Sequence, residues 1–385
     1  MNQKREIQLT AKAKINLGLD ITGRLANGYH GVRMVMQTLA LGDEVTVALE
    51  STDGDASVAA QDLISIAVSC SDSRLPCDEH NLAYRAAALL RDEYLLRDRA
   101  FLSGNLHDRS AEPEALSQAD DEDRSELTGC RININIDKKI PVAAGLAGGS
   151  SDAAAVLVAL NELCELGLTQ RELMDLGLKL GADVPFCIMQ GTALSEGIGE
   201  VLTPLPALPP VPVLLVKPDI AVSTKWAYES WDALTDPQHP DIDALAECIH
   251  SVTACIHSAN KRSSDAATKS DCCADASNAD YSADTSNAGC RADTSNAGCA
   301  QLQETELREL GASLGNTFER LVFEKHPVVR QIKEDMIHLG AAGALMSGSG
   351  PTVFALFPDD DTLARAADEM RSRYPDAFVC KTHIL

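Results

Sequence analysis

Residues 141–155 read PVAAGLAGGSSDAAA, and the architecture follows from what stands on either side of them. Upstream, RININID at 131–137 alternates apolar and polar residues, the period-two pattern of a strand. Downstream, SDAAAVLVALNELCELG at 151–167 has helical spacing and good helix formers. Three glycines and two serines therefore join a strand to a helix. Glycine lets the backbone approach an anion and take positive φ, so several N–H groups can converge on phosphate oxygens at the positive end of the helix. Ser150 or Ser151 can cap the helix or reach a phosphate or metal. The loop has neither the Gly-Lys-Ser/Thr ending of a Walker A motif nor the G-x-G-x-x-G of a dinucleotide site. Taken alone it is equally an ordinary glycine-rich turn with a serine cap.

Working outward, LTQRELMDLGLKLG predicts a second helix, with Thr169 and Glu172 at capping-box spacing and Gly181 as its stop. Asp183 follows in a short loop ending at Pro185. Such a carboxylate can take a proton from a substrate hydroxyl, or simply hydrogen-bond its own turn. From Ile7 to Ile21 the alternation is almost strict, with Lys12, Lys14, Asn16 and Asp20 on the polar side. This predicts a half-buried strand, or two joined at a kink, that displays two amines and an amide. VPVLLV at 211–216 reads as a buried strand. SGSG at 347–350, before the strand-like TVFALF, is a second donor-rich turn, either a strand-entry turn or a lid over phosphates. NGYHGV at 27–32 places Tyr29 and His30 after an Asn-Gly turn, where the pair could stack on a base and read its edge or serve structurally.

The whole chain has 385 residues and a formal charge of −24, which argues against broad binding to nucleic acid or anionic lipid but leaves room for an anionic substrate in a local pocket. No apolar run approaches the roughly 20 residues of a membrane span, and MNQKREIQLT has no apolar core of a signal peptide. Twelve cysteines without any C-x-x-C pair predict reduced thiols and a cytoplasmic protein. Two segments read as insertions. About 94–128 is strongly acidic, with seven acidic residues and one basic residue between Glu112 and Glu126. About 256–300 is low-complexity, with ADASNADYS, ADTSNAGCR and ADTSNAGCA starting at 274, 283 and 292, and carries no role. The remainder suits two α/β domains, 1–200 and 201–385, with the boundary near residue 200.

Order and spacing converge. AKAKINLGLDITGRLANGYH (11–30), LGDEV (41–45), DEHNLAYRAA (78–87), IDKKIPVAAGLAGGSSDAA (136–154), LGADVPFCIMQGTALSEGIGE (180–200) and GALMSGSGPTVFALF (343–357) together resemble the GHMP kinase superfamily. Within it the similarity is to the branch acting on a cytidine-diphosphate-linked methylerythritol. Homoserine, mevalonate or sugar kinases of the superfamily, and a non-catalytic nucleotide-binding relative, are the alternatives.

The resemblance implies a two-domain α/β fold, ribosomal-protein-S5-like then ferredoxin-like, with a substrate cleft between the domains. It implies transfer of the ATP γ-phosphate to the 2-hydroxyl of the small-molecule acceptor, in the non-mevalonate route to isoprenoid precursors. Asp183 stands at the catalytic Asp, and Lys14 at the lysine that favours its ionised form and offsets charge on the moving phosphoryl. Pro141, Val142, Ala143, Ala144, Gly145, Leu146, Ala147, Gly148, Gly149, Ser150 and Ser151 would hold ATP, with Asn81 and Lys138 around the adenine. Asn16, Tyr29, His30 and Tyr228 would bind the acceptor. Mg²⁺ would be bridged by the ATP phosphates, with Ser151 as the protein oxygen within reach, and no protein cage. Where some members have glycine this loop has Ala147, whose methyl is tolerable if φ is negative. Monomer and homodimer are both compatible with the sequence.

Overall fold

The computed structural model describes residues 5–26, 28–52, 64–95, 129–255 and 302–385. Both expected insertions lie outside these ranges, except that Tyr94 caps the preceding helix and Leu95, placed with the acidic segment from sequence, is fully buried in the core. No helix among the described residues is long and apolar enough to cross a membrane.

The first sheet has seven strands, β1 (Arg5–Arg24), β2 (His30–Thr52), β3 (Ile64–Cys70), β4 (Gly129–Asp137), β5 (Thr192–Glu196), β6 (Val201–Pro204) and β8 (Gly315–Asn316). β1 and β2 form a long antiparallel pair, and the far edge of β2 is shared by β4 at one end and β5 at the other. The alternation of RININID buries Ile132, Ile134 and Ile136 on one face. Against that face lie α1 (Leu82–Glu93) and α2 (Gly148–Leu163). Alanines on both helices (Ala83, Ala86, Ala87, Ala153, Ala159) let them approach closely, which is how an aliphatic core with few aromatics still packs densely. β1 is one strand, not two, with irregular register at Lys12/Lys14, Asn16/Gly18 and Ile21/Gly23. It is half-buried only toward its ends: every residue from Ala13 to Leu19 is buried, with Ala144 and Leu146 of the glycine loop packed in one cluster with Ala13, Ile15 and Leu17.

Then come α3 (Gln170–Leu178), with the Thr169–Glu172 capping box formed, and α4 (Val184–Met189). β6 still pairs in the first sheet, so the second sheet begins only with β7 (Pro212–Lys217), later than the expected boundary near 200. That sheet runs β11 (Phe378–His383), β7, β10 (Val353–Leu356), β9 (Gly343–Met346), all antiparallel. α9 (Pro327–His338) and α10 (Asp360–Arg373) pack on one face, giving the order expected of a ferredoxin-like domain. Between β7 and α9 lie α5 (Thr224–Asp232), α6 (242–255), α7 (Glu304–Ala312), β8 and α8 (Glu319–Lys325). The other face of the second sheet shares a core with the first domain: Ile15 and Leu17 of β1 cluster with Val213 and Leu215 of β7 and Phe354 of β10. β8 pairs with β1 in parallel, so the second half of the chain completes the first sheet.

Candidate active site

The period-two alternation of β1 sets Lys14 and Asn16 side by side on one face, in regular register with Thr38 and Met36 of β2. Lys14 Nζ donates to Asn16 Oδ1 at 2.8 Å and lies 3.7 Å from Asp183 Oδ2. Lys14 and Asn16 are buried, while about a third of the Asp183 side chain meets solvent. The carboxylate is therefore the open end of a buried polar line. Asp183 does not sit in a loop ending at Pro185. It is the N-cap residue of α4, with Pro185 in that helix's first turn, and its carboxylate makes no capping bond. That leaves it turned to Lys14.

The glycine loop is left-handed at alternate positions: Ala143 φ 52°, Gly145 φ 73° and Ala147 φ 58°. The expectation of negative φ at Ala147 is wrong. Ala147 is the N-cap residue of α2, and each alanine there accepts a conformation costing about 1–2 kcal/mol. Alternation of this kind curls successive N–H groups to one side, making an anion-binding nest. Among the described residues none of the amides from Val142 to Gly149 donates to a protein acceptor, so they remain available to phosphate. Three contacts hold the shape. Lys14 N–H donates to Leu146 O at 3.1 Å, Ser347 Oγ donates to Gly145 O at 3.0 Å, and a Cβ at Gly145 would collide with the Ser347 carbonyl. The SGSG turn thus braces the loop directly. Asn316 Nδ2 supports the turn in its own right, donating to Met346 O and Gly348 O, and Ser349 Oγ meets Thr224 Oγ1 at 2.9 Å.

The two serines diverge. Ser151 is buried; its hydroxyl donates to Lys12 O at 2.7 Å, and its Oγ lies 3.3 Å from Cys187 Sγ, a thiol that burial pushes up to about 12 and that can donate to it. It points into the protein rather than toward a phosphate or metal. Ser150 is half-buried, and among the described residues its side chain has no hydrogen-bond partner. Asn81 is likewise committed: it caps α1, accepting from Ala83 N–H and donating to Pro76 O. Lys138 is buried between Asp43 and Asp152, and burial, opposed by the Lys138 charge, raises the Asp152 carboxyl to about 7. A cavity of about 550 Å³ opens outside Pro141 and Val142, with Arg74, Lys139 and Lys217 on its walls.

Within reach of the Asp183 charge lies an aromatic wall. The His30 ring stacks on Tyr228 at 4.7 Å, with Trp231 edge-on at 6.1 Å. His30 Nε2 is 2.7 Å from Asp232 Oδ1, which fixes the ring. Burial first, then the Asp183 charge, pushes the Tyr228 phenol up to about 12, so it stays protonated. Tyr29 is exposed. The exposed Tyr29–His30 pair expected from sequence is thus divided, with His30 folded against α5.

Residues 114–191 match the model of the GHMP kinases N terminal domain, and 299–376 that of GHMP kinases C terminal. The chain is 36% identical to the 4-diphosphocytidyl-2-C-methyl-D-erythritol kinase of Lachnoclostridium phytofermentans, over 95% of this chain and 92% of that one. It is also 36% identical to the kinase of the same name from Lachnospira eligens, over 95% and 94%. The chain belongs to the 4-diphosphocytidyl-2-C-methyl-D-erythritol kinases, a GHMP kinase family. A crystal structure of 4-(cytidine 5'-diphospho)-2C-methyl-D-erythritol kinase superposes with a TM-score of 0.60 at 25% identity, covering 98% of this chain and all of that one. The L. major mevalonate kinase, at 16% identity and a TM-score of 0.57, shares the fold.

As a GHMP kinase the chain is an ATP-dependent phosphotransferase acting on a small molecule. Three further side chains shape its site without having stood out in the sequence. Asp43 lay within the quoted LGDEV but carried no role. Asp232 and Asn316 had no local signal at all, since each acts on a partner tens to hundreds of residues away.

Proposed function

We propose that this kinase transfers the γ-phosphoryl group of ATP to the 2-hydroxyl of 4-diphosphocytidyl-2-C-methyl-D-erythritol, a step toward isoprenoid precursors. The observation that carries the chemistry is the Lys14–Asp183 pair at the mouth of a loop whose amides are unpaired. Asp183 accepts the hydroxyl proton as the phosphorus–oxygen bond forms, and Lys14 offsets charge on the developing alkoxide and the moving phosphoryl group. Asn16 holds the Lys14 ammonium in place. The loop from Pro141 to Ser150 takes the triphosphate through its N–H groups, and positioning of this kind is most of what phosphoryl transfer requires. The His30–Tyr228 wall takes the cytosine, with Tyr29 at its open edge.

Mg²⁺ bound with ATP would supply positive charge against its phosphates. The hard protein oxygen fitted to it is the Ser150 hydroxyl, rather than Ser151, which is bonded to Lys12 O. A cytoplasmic location accords with the described cysteines, all of which are free thiols.

The test is ADP release with Mg-ATP and either the cytidylylated methylerythritol or uncytidylylated methylerythritol phosphate. Turnover with the cytidylylated compound alone is expected. Equal failure with both would overturn the acceptor assignment, and equal turnover would remove the role of the His30–Tyr228 wall.

A further inference from the structure

Lys138 directly follows β4, where the chain turns toward the nucleotide loop, and its ammonium is almost entirely enclosed. Its side chain is 6% exposed, and those of its partners Asp43 and Asp152 are 0% and 5%. Nζ donates to Asp43 Oδ2 and, at 2.6 Å, to Asp152 Oδ2. The other oxygen of Asp43 accepts from the N–H groups of Lys139 at 2.5 Å and Ile140 at 2.7 Å, the two residues just before Pro141. Asp152 lies in α2, directly after the loop. One buried ammonium therefore joins both ends of the loop to each other, and Asp43 joins them to β2. The ammonium also lies against the first residue of α2, since a Cβ on Gly148 would be 3.4 Å from Nζ. A lone cation at that end of a helix opposes the macrodipole, and the two carboxylates offset it.

The loop needs such anchoring. Three left-handed residues and a run of unpaired amides give it no hydrogen-bonded shape of its own. Its form comes from what is fixed on either side.

We propose that Asp43, Lys138 and Asp152 are positioning residues for ATP, a buried clasp that sets the spacing of the loop's two ends, with Lys138 acting from behind the loop and making no contact with adenine. The proposal rests on the reading of this loop as the triphosphate site. Removing the clasp lets the loop ends separate, so the amides no longer converge. ATP affinity falls, while the acceptor wall, built on β2 and α5, is left as it was.

The test compares Lys138→Met, Asp152→Ala and Asp152→Asn in the full-length kinase. Expected for Lys138→Met and Asp152→Ala is a KM for ATP raised about tenfold, with the acceptor KM within about twofold of wild type. Asp152→Asn keeps an acceptor for Nζ and rescues the ATP KM to within about threefold. Inorganic tripolyphosphate, as a competitor of ATP, separates the clasp from an adenine contact. With the clasp its Ki weakens in step with the ATP KM, whereas a Ki left unchanged while the ATP KM rises would place Lys138 at the base and overturn the proposal. An unchanged ATP KM in folded variants, or an acceptor KM rising equally, would also overturn it. If Lys138→Met does not fold, Asp152→Ala carries the same comparison, because it leaves the Lys138–Asp43 pair intact. Gly145→Ala, within the loop itself, distinguishes the two levels. If it too leaves the ATP KM unchanged, the loop is not the triphosphate site; if it alone raises the KM, the loop reading stands and the clasp falls.

Discussion

Replacing Gly145 by alanine tests how rigidly the second domain holds the nucleotide loop. At φ 73° an L-residue costs about 1–2 kcal/mol more than glycine. The added methyl also meets backbone only: the Ser347 carbonyl oxygen, its carbon at 3.2 Å and Gly350 O at 3.4 Å. Backbone cannot rotate away as a side chain can, so either the loop or the SGSG turn has to shift. Overpacking of that kind costs about 1–3 kcal/mol, giving a total of about 2–5 kcal/mol. Urea unfolding monitored by circular dichroism reads this as a lowered midpoint at unchanged slope. Gly149→Ala is the matched control, since it lies in α2 at ordinary φ and its nearest neighbour is Leu82 Cδ1 at 3.6 Å. It should be neutral or slightly stabilising. If Gly145→Ala costs no more than Gly149→Ala, the turn does not clamp the loop, and the brace through Ser347 is a contact without consequence.

Three other outcomes are expected. Asp183→Asn retains ATP binding, measured by fluorescence titration, but loses about 10²–10⁴-fold in kcat; near-normal turnover would exclude it as the base. Ala147→Gly relieves a left-handed residue and stabilises by about 0.5–1 kcal/mol after the greater freedom of the unfolded chain is subtracted; a loss of stability in the same urea assay would contradict the strain. Asp152 has its carboxyl raised to about 7 in the folded state against 3.8 in its absence, so the native state holds the extra proton. Its contribution is full below about pH 4 and is lost as pH rises to 7. Asp152→Asn removes this group's part of the slope, so the variant should gain on wild type between pH 5 and 7.5, and parallel profiles would refute the shift.

The strand–loop–helix plan was legible because it is local. RININID, the helix after Ser151 and the buried VPVLLV carry their periods within a dozen residues, and the Thr169–Glu172 cap is a spacing of three. Lys14 and Asn16 were legible as neighbours for the same reason. What escaped was set by distant parts of the chain. Nothing near Ala147 announces a positive φ, which follows from Lys14 holding Leu146 O and Ser347 holding Gly145 O. Ser151 looks like Ser150 in sequence and differs only because Lys12 O lies beneath it. His30 is folded inward by Tyr228 and Asp232, about 200 residues further on. Asp43 carries no role in the sequence until the Lys138 it faces is placed.

β8 pairs with β1 at Gly18 and Leu19 although about 300 residues separate them. Polymer entropy makes the length of that circuit almost irrelevant to stability: extending it from about 250 to about 300 residues adds about 0.2 kcal/mol. A chain closed this way can carry the 256–300 segment at little thermodynamic cost. Speed is another matter, since pairings so remote in sequence form slowly. Asn316 lies on β8 and seats the SGSG turn. The brace behind the nucleotide loop therefore depends on a pairing between the two ends of the chain, so the kinase should gain its grip on ATP late in folding, after its strands and helices are already in place.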